Sequence, residues 1–92
     1  MKFEWDDVKA IANLKKHGVS FEEAKTVFDN PLAVIFDDEA HSFDELREII
    51  IGHSQRNRLL IISFTERQNS IRIISARQTT RKEREDYEQQ SR

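Results

Sequence analysis

Two apolar segments of strand length near the carboxyl end constrain the fold of this chain most strongly. Residues 59–67 and 70–77 are rich in isoleucine and are separated only by Gln68 and Asn69, a pattern typical of a β-hairpin. With these two residues in the turn, Thr65 lies opposite Arg72 and Phe64 lies opposite Ile73. The hairpin then has an apolar face of five residues, which we expect to be core: Leu60, Ile62, Phe64, Ile71 and Ile73.

The other face of the predicted hairpin carries polar and cationic side chains. Its members are Ser63, Thr65, Arg67, Arg72 and Ile74, and Arg77 ends the second strand. Residues 56–92 hold nine of the 15 basic side chains, and eight of these nine are arginine. Arginine forms forked contacts with phosphate, but the same asymmetry also fits an ordinary solvated surface with ion pairs.

The length and composition indicate one folded domain over residues 1–92. The absence of cysteine excludes a disulfide framework and a thiolate metal site. No apolar run approaches the roughly 18 residues that span a bilayer, and the amino terminus lacks the pattern of a signal peptide. We therefore expect a cytoplasmic protein that does not contact a membrane.

The first half of the chain predicts a short edge strand, Phe3-Glu4-Trp5, and two helices. Asp6 or Asp7 can cap the first helix and Gly18 can end it. Ser20 and Glu23 form a capping box at the start of the second helix, which stops before Pro31. The apolar positions of the first helix share one face, which we expect to pack on the sheet: Val8, Ile11, Ala12 and Leu14.

Two further strands are predicted, over residues 32–36 and 45–54. A four-residue turn over 55–58 places Arg47 opposite Glu66, as an ion pair, and adds Ile49 and Ile51 to the core face. Thr80 and Glu83 form a second capping box before a polar last helix, in which Tyr87 is the only large apolar side chain. That helix should be the least stable element.

The predicted fold class is therefore α+β. We expect a small antiparallel sheet of four to five strands, with the two N-terminal helices on one face and a short C-terminal helix. The acidic loop over residues 37–44 contains carboxylates and His41, which are groups that can bind a divalent metal. Because its carboxylates lack regular ligand spacing, a polar strand connection is favoured and no metal or cofactor is expected.

Motifs distributed along nearly the whole chain resemble those of the BrnT toxins. They are Phe3-Glu4-Trp5-Asp6, Lys9, Asn13, Lys16-His17-Gly18-Val19, Ser20-Phe21-Glu22-Glu23-Ala24, His41-Ser42, Thr65-Glu66-Arg67, Ile73-Ile74-Ser75-Ala76-Arg77, and Glu83-Arg84 with Tyr87. Each motif is weak alone, but the ordered set is specific.

The resemblance implies a type II toxin with a RelE-like ribonuclease fold that cleaves RNA and stops translation. It also implies a BrnA-like antitoxin with a ribbon-helix-helix region, in a complex that is a heterotetramer and represses its own operon. Operator DNA is then bound only through the antitoxin.

RNA cleavage without a metal needs a base for the ribose 2′-hydroxyl, an acid for the leaving 5′-oxygen and cations for the phosphoryl oxygens. Arginine suits only the last role, since it stays protonated. The base or acid then comes from Lys16, Glu66, Tyr87 or one of the three histidines at 17, 41 and 53. The residues expected at the site are Lys16, His17, Glu66, Arg67 and Arg77 for catalysis and Arg72, Arg81 and Tyr87 for RNA phosphate.

Each of these residues also has a structural interpretation. Lys16 and His17 lie in the last helical turn, where positive charge favours the helix dipole. Two rival functions remain open at this point. The chain can be an RNA-binding module that does not cleave, or a corepressor that acts only through its antitoxin.

Overall fold

A computed structural model describes residues 1–43 and 45–90 as one five-stranded sheet with three helices. The strands are β1 (Lys2–Glu4), β2 (Val34–Asp37), β3 (Glu48–His53), β4 (Leu59–Arg67) and β5 (Ser70–Gln78). The helices are α1 (Asp7–His17), α2 (Phe21–Thr26) and α3 (Arg81–Gln90), with short 3₁₀ turns at Val27–Asp29 and Glu39–His41. The predicted α+β fold class is confirmed.

The strand order is β1-β5-β4-β3-β2, so the long β4–β5 hairpin lies in the middle of the sheet. Three of the four pairings are antiparallel, but β1 pairs with β5 in parallel. The expectation of a purely antiparallel sheet was therefore wrong. The chain returns from β1 to β5 through both N-terminal helices and three other strands, which allows β1 to enter the sheet in the same direction as β5.

The register predicted for the central hairpin is confirmed. Thr65 pairs with Arg72 and Phe64 with Ile73 across a turn in which Gln68 adopts a φ of 48°. All five residues of its apolar face are buried, and Ile62 and Phe64 are 0% and 1% exposed. A bulge next to Ser63 shifts the pairing beyond that point, so Ala76 joins the core opposite Ile62.

The predicted register of β3 was wrong by one residue. Ile50, rather than Ile49 or Ile51, lies in the core opposite Ile62. Asn57 adopts a left-handed φ of 60°, and the Ser54 amide donates to the Arg58 carbonyl at 2.9 Å. This geometry closes a three-residue loop instead of the four-residue turn. Ile49 and Ile51 consequently face the opposite side of the sheet.

One face of the sheet, here called the first face, packs against α1 and α2. Its core joins sheet residues to side chains from the second helix and its flanks, Val19, Phe21, Ala24 and Val27. The N-cap residues Asp6 and Ser20 and the left-handed Gly18, at φ 69°, bound the two helices as predicted. The opposite, second face is partly covered by α3, whose Tyr87 is 5% exposed.

The predicted packing of α1 was wrong. Val8, Ile11 and Leu14 are 77%, 59% and 51% exposed, and Asn13 is the buried residue of the helix. The Asn13 amide nitrogen donates to the Val19 carbonyl at 2.9 Å and to the Ala76 carbonyl at 2.8 Å. Its oxygen accepts from the Ala76 amide at 3.1 Å. These three hydrogen bonds, rather than an apolar stripe, turn α1 toward the sheet.

Among the residues that the structure describes, no helix has the length and apolar character required to cross a membrane.

Candidate RNA-binding and catalytic site

Three arginines lie together on the second face, beside the β4–β5 turn. Arg72 pairs with Thr65, and Arg67 lies two residues further along β4 on the same side. Arg47 directly precedes Glu48, which pairs with Phe64, so Arg47 approaches Thr65 from the other neighbouring strand. Side chains alternate across a sheet, which places all three on the face away from the core. We call Arg47, Arg67 and Arg72 the arginine cluster.

Thr65 lies within this cluster but is not displayed on the surface. Its side chain is 1% exposed, and its hydroxyl donates to the Leu46 carbonyl at 2.8 Å. The expectation that Thr65 forms part of an open polar face was wrong. The hydroxyl instead fixes the backbone next to Arg47, because a buried hydroxyl without this bond would cost about 1–3 kcal/mol.

A groove of about 270 Å³ lies beside the arginine cluster, and it contains acidic and imidazole groups as well. Its lining residues are His41, Phe43, Glu45, Arg47 and Arg67. The Arg67 guanidinium contacts both Glu45 oxygens, at 3.2 and 3.4 Å. Both side chains of this ion pair are more than 40% exposed. Water screens such a pair strongly, so Arg67 can exchange Glu45 for a phosphate at little cost.

The segment that carries His41 is held in place by its own hydrogen bonds. The His41 Nδ1 atom lies 3.0 and 3.1 Å from the two carboxylate oxygens of Asp38. The Ser42 hydroxyl donates to the Asp38 carbonyl at 2.7 Å and accepts from the Arg47 amide at 2.9 Å. The Asp38 amide in turn donates to the Arg47 carbonyl at 2.9 Å. His41 is therefore attached to the strand end that carries Arg47.

Arg77 lies on the second face but at the other end of the sheet. It pairs with Ile61, six residues from Arg67 along β4, which corresponds to about 20 Å of extended strand. Its guanidinium donates to both Glu83 oxygens, at 2.8 and 2.9 Å, and to the Gln78 carbonyl at 3.1 Å. Arg77 and Arg67 therefore cannot contact the same phosphate.

The Arg77–Glu83 pair also fixes the start of α3. Glu83 accepts from the Thr80 amide at 2.8 Å, and the Thr80 hydroxyl accepts from the Glu83 amide at 3.2 Å, which completes the predicted capping box. The Arg77 guanidinium lowers the pKa of Glu83 from 4.5 to about 2. This carboxylate therefore contributes stability above pH 4.5, and the contribution is lost as the pH falls toward 2.

Glu66 lies on the first face, beyond the core, and is separated by the sheet from the arginine cluster. Its nearest charged neighbours include Glu48, whose pKa is raised by burial and by the charges of Glu66 and Asp37. The predicted cross-strand pair of Glu66 with Arg47 was wrong. The one-residue shift in the register of β3 puts their side chains on opposite faces.

The remaining predicted site residues are also distant from the groove. Asn13 fixes α1 beside Ala76, so Lys16 and His17 in its last turn lie toward the end of β5. Arg81 begins α3, is 93% exposed and contacts Glu85 at 3.4 Å. The Tyr87 hydroxyl donates to the Leu32 carbonyl at 2.8 Å, and its ring lies 6.0 Å from that of His53. The structure therefore brings the predicted residues together in two places, Arg67 with Arg72 beside the β4–β5 turn and Arg77 with Tyr87 at the cavity beneath α3.

Three features of this site were missed at the level of sequence. Arg47 was assigned to an ion pair, Glu45 was not among the candidates, and His41 was only one of three candidate histidines. The spacing of Asp38 and His41 was an available signal, because residues three apart share one side of a helical turn. Of the residues described, no group of three or more His, Asp and Glu side chains is arranged to hold a metal ion. Asp44, part of the acidic loop, lies outside the described residues.

Comparison with known proteins agrees with the resemblance seen in the motifs. The model of the BrnT ribonuclease toxins of type II toxin–antitoxin systems matches residues 5–83. The chain belongs to this family. Because the match extends over most of the sequence, it includes the arginine cluster and the groove.

A solved structure shows the same fold. The crystal structure of the Brucella abortus ribonuclease toxin BrnT superposes with a TM-score of 0.68, at 23% sequence identity. The match covers 88% of this BrnT chain and 99% of the Brucella chain. No curated protein sequence matches significantly.

Proposed function

We propose that this BrnT chain is a metal-independent endoribonuclease that binds RNA at the arginine cluster and inhibits translation by cleaving it. The observation that carries the proposal is the juxtaposition of two guanidinium groups, those of Arg47 and Arg67, with His41 and Glu45 in one groove. Family membership makes the protein a ribonuclease toxin. The proposal goes beyond this in three respects: cleavage without a metal, binding of RNA at the arginine cluster, and inhibition of translation.

The arginine cluster supplies what RNA cleavage requires at the phosphate. Negative charge builds on the phosphoryl oxygens as the 2′-oxygen attacks, and fixed cations stabilise that charge. Arg67 and Arg72 extend from neighbouring strands, and the backbone around Arg47 is fixed because its amide donates to Ser42 and the Thr65 hydroxyl donates to the Leu46 carbonyl. Guanidinium groups held by a rigid sheet can therefore take the role that metal ions have in other nucleases.

The groove favours single-stranded RNA. Phe43 lines the groove and is 89% exposed, so one ring face is open to an unpaired base. Base stacking on an aromatic side chain contributes about 1–3 kcal/mol and does not require a particular sequence. Bases within a duplex are already stacked, so a duplex gains nothing from Phe43.

The other predicted site residues have separate places in this proposal. Arg77 and Arg81 lie near the start of α3, where they can contact RNA several nucleotides from the scissile linkage. Tyr87 can reach a phosphate only if α3 moves, because its hydroxyl is bonded to the Leu32 carbonyl. Catalytic roles for Lys16, His17 and Glu66 remain predictions that the geometry does not favour.

Digestion of RNA by the purified chain tests the proposal directly. With excess chelator present, we expect single-stranded RNA to acquire new ends, each with a 2′,3′-cyclic phosphate and a 5′-hydroxyl. A matched DNA should remain intact, since it lacks the attacking 2′-hydroxyl. Binding of RNA without new ends would instead support a non-catalytic RNA-binding module. If the chain neither binds nor cleaves RNA, the result would instead support the corepressor function.

The partner that we propose is a BrnA-like antitoxin with a ribbon-helix-helix region, since this family belongs to type II toxin–antitoxin systems. Ribbon-helix-helix proteins bind DNA as dimers, so a dimer that carries two toxins gives a heterotetramer. This complex would repress its own operon in the cytoplasm and contact operator DNA only through the antitoxin. An acidic or amphipathic segment suits the arginine cluster, and opposite charges would make association fast and salt-sensitive.

Hydrogen exchange with and without antitoxin locates the covered surface. We expect new protection within residues 63–87, including α3. This helix lies over a cavity of about 530 Å³ beneath Tyr87, so a partner can order it further. The exposed apolar side of α1, formed by Val8, Ile11 and Leu14, is the competing surface. Protection confined to α1 and α2 would contradict inhibition by steric coverage of the site.

A further inference from the structure

The groove beside the arginine cluster contains a carboxylate and an imidazole in addition to its two guanidinium groups. We propose that Glu45 is the general base and His41 the general acid of RNA cleavage in this BrnT chain. This inference rests on the proposed ribonuclease function. It replaces the residues that sequence favoured for the two roles with a pair on the same surface as Arg47 and Arg67.

His41 is oriented for a role at a substrate. The Asp38 carboxylate binds its Nδ1 atom, which leaves Nε2 as the nitrogen that can meet a ligand. The Asp38 side chain is 15% exposed, whereas that of His41 is 64% exposed. A partly buried carboxylate therefore fixes an accessible imidazole. This arrangement holds the proton on Nδ1 and keeps the ring in one orientation.

Glu45 is placed to accept a proton. It lies in the same groove and contacts the Arg67 guanidinium. When the scissile phosphate binds Arg67, that guanidinium turns toward the phosphoryl oxygens and releases Glu45. The freed carboxylate then faces the substrate without its former partner.

The different chemistry of the two groups assigns their roles. Carboxyl side chains lose their proton well below neutral pH, so a glutamate is an effective base but a poor acid there. An imidazole can carry a proton near neutral pH and give it up to a leaving oxygen. Of the two groups in the groove, only His41 therefore suits the 5′-oxygen.

The proposed step balances without a metal or co-reactant. Glu45 removes the 2′-hydroxyl proton as the 2′-oxygen forms its bond to phosphorus. The bond from phosphorus to the 5′-oxygen breaks, and that oxygen takes the Nε2 proton of the His41 imidazolium, which becomes a neutral imidazole that keeps its proton on Nδ1. The products are a 2′,3′-cyclic phosphate and a 5′-hydroxyl. Arg47 and Arg67 stabilise the charge on the two non-bridging oxygens.

A chemically modified substrate separates the acid from the base. One oligoribonucleotide has a single scissile linkage with the natural 5′-oxygen, and a second has sulfur in its place. A thiolate leaves without being protonated, so it does not need an acid. The variants are His41→Gln and Glu45→Gln, with Gln55→Ala and Glu22→Gln as controls. Gln55 is exposed in the loop between β3 and β4, at the end of β3 away from the groove, and Glu22 is exposed on α2.

We expect His41→Gln to cleave the oxygen substrate about 100-fold to 10,000-fold more slowly than the unaltered protein. It should cleave the sulfur substrate within a few-fold of the normal rate. Glu45→Gln should be slow on both substrates, and the controls should be normal on both. Circular dichroism verifies that each variant is folded, which is expected because His41 and Glu45 are exposed.

Two results would overturn the assignment while leaving the ribonuclease function intact. They are a normal rate for His41→Gln on the oxygen substrate, and equal slowing of that variant on both substrates. A normal rate for Glu45→Gln would overturn the role of the base in the same way. If the unaltered protein cleaves neither substrate, the proposed function itself fails, and this inference fails with it.

Discussion

Arg67→Ala is expected to lower the rate of RNA cleavage by about 100-fold or more, with little change in the stability of the fold. Removal of one preorganised donor to a developing oxyanion typically costs a factor of this size. The stability should change little because Arg67 is half exposed and Glu45, with which it forms an ion pair, is half exposed as well. The rate is measured under single-turnover conditions with a single-stranded oligoribonucleotide.

Arg56→Ala is the matched control for this loss of charge. Arg56 is exposed like Arg67 but lies in the β3–β4 loop, at the other end of β4. A general loss of positive charge would weaken RNA binding in both variants, whereas loss of a catalytic contact slows only Arg67→Ala. Equal rates in the two variants would show that the arginine cluster does not act on the scissile phosphate.

The hairpin was predictable because it depends on local rules. A two-residue turn fixes the register of two strands, and alternation then assigns each side chain to one face. Phe64 and Ile73 were placed correctly for this reason. The register of β3 failed because it depended on the backbone of Asn57. The left-handed residue shortens the loop by one residue. The resulting shift of one residue in the register of β3 moves Ile49 and Ile51 to the other face of the sheet.

The site was only partly predictable because its members are distant in sequence. Alternation placed Arg67 and Arg72 on one face, whereas Arg77 reaches that face because the bulge beside Ser63 shifts the alternation along β5. Arg77 lies about 20 Å from Arg67 by strand length and is paired with Glu83. His41 joins the arginines through the contacts of Asp38 and Ser42, which no periodic pattern reveals.

The orientation of α1 shows why an apolar pattern can mislead in a small domain. The pattern favoured burial of Val8, Ile11 and Leu14, but these residues are exposed. Asn13 decides the orientation because the carbonyl groups of Val19 and Ala76 and the amide of Ala76 need partners. Each unpaired buried backbone group would cost about 1–3 kcal/mol, so pairing three of them offsets the exposure of a few apolar side chains.

Asn13→Ala is therefore expected to destabilise the protein by about 3–5 kcal/mol. The substitution leaves three backbone groups without their partner in the interior, and each such group costs about 1–3 kcal/mol. Small domains have a free energy of unfolding of about 5–15 kcal/mol, so the substitution should remove a large part of it. Urea unfolding followed by circular dichroism measures the change in the free energy of unfolding.

Leu14→Ala provides the control on the neighbouring residue of the same helix. Leu14 is 51% exposed, so its truncation should cost less than about 1 kcal/mol. A helix buried through its apolar stripe would give the reverse order, because truncation of a core leucine costs about 2–5 kcal/mol. A larger loss for Leu14→Ala than for Asn13→Ala would thus contradict the hydrogen-bonded attachment of α1 to Ala76. The observed geometry requires the polar truncation to be the more damaging one, since Asn13 connects the first helix to the Val19 backbone and to strand β5 through three hydrogen bonds.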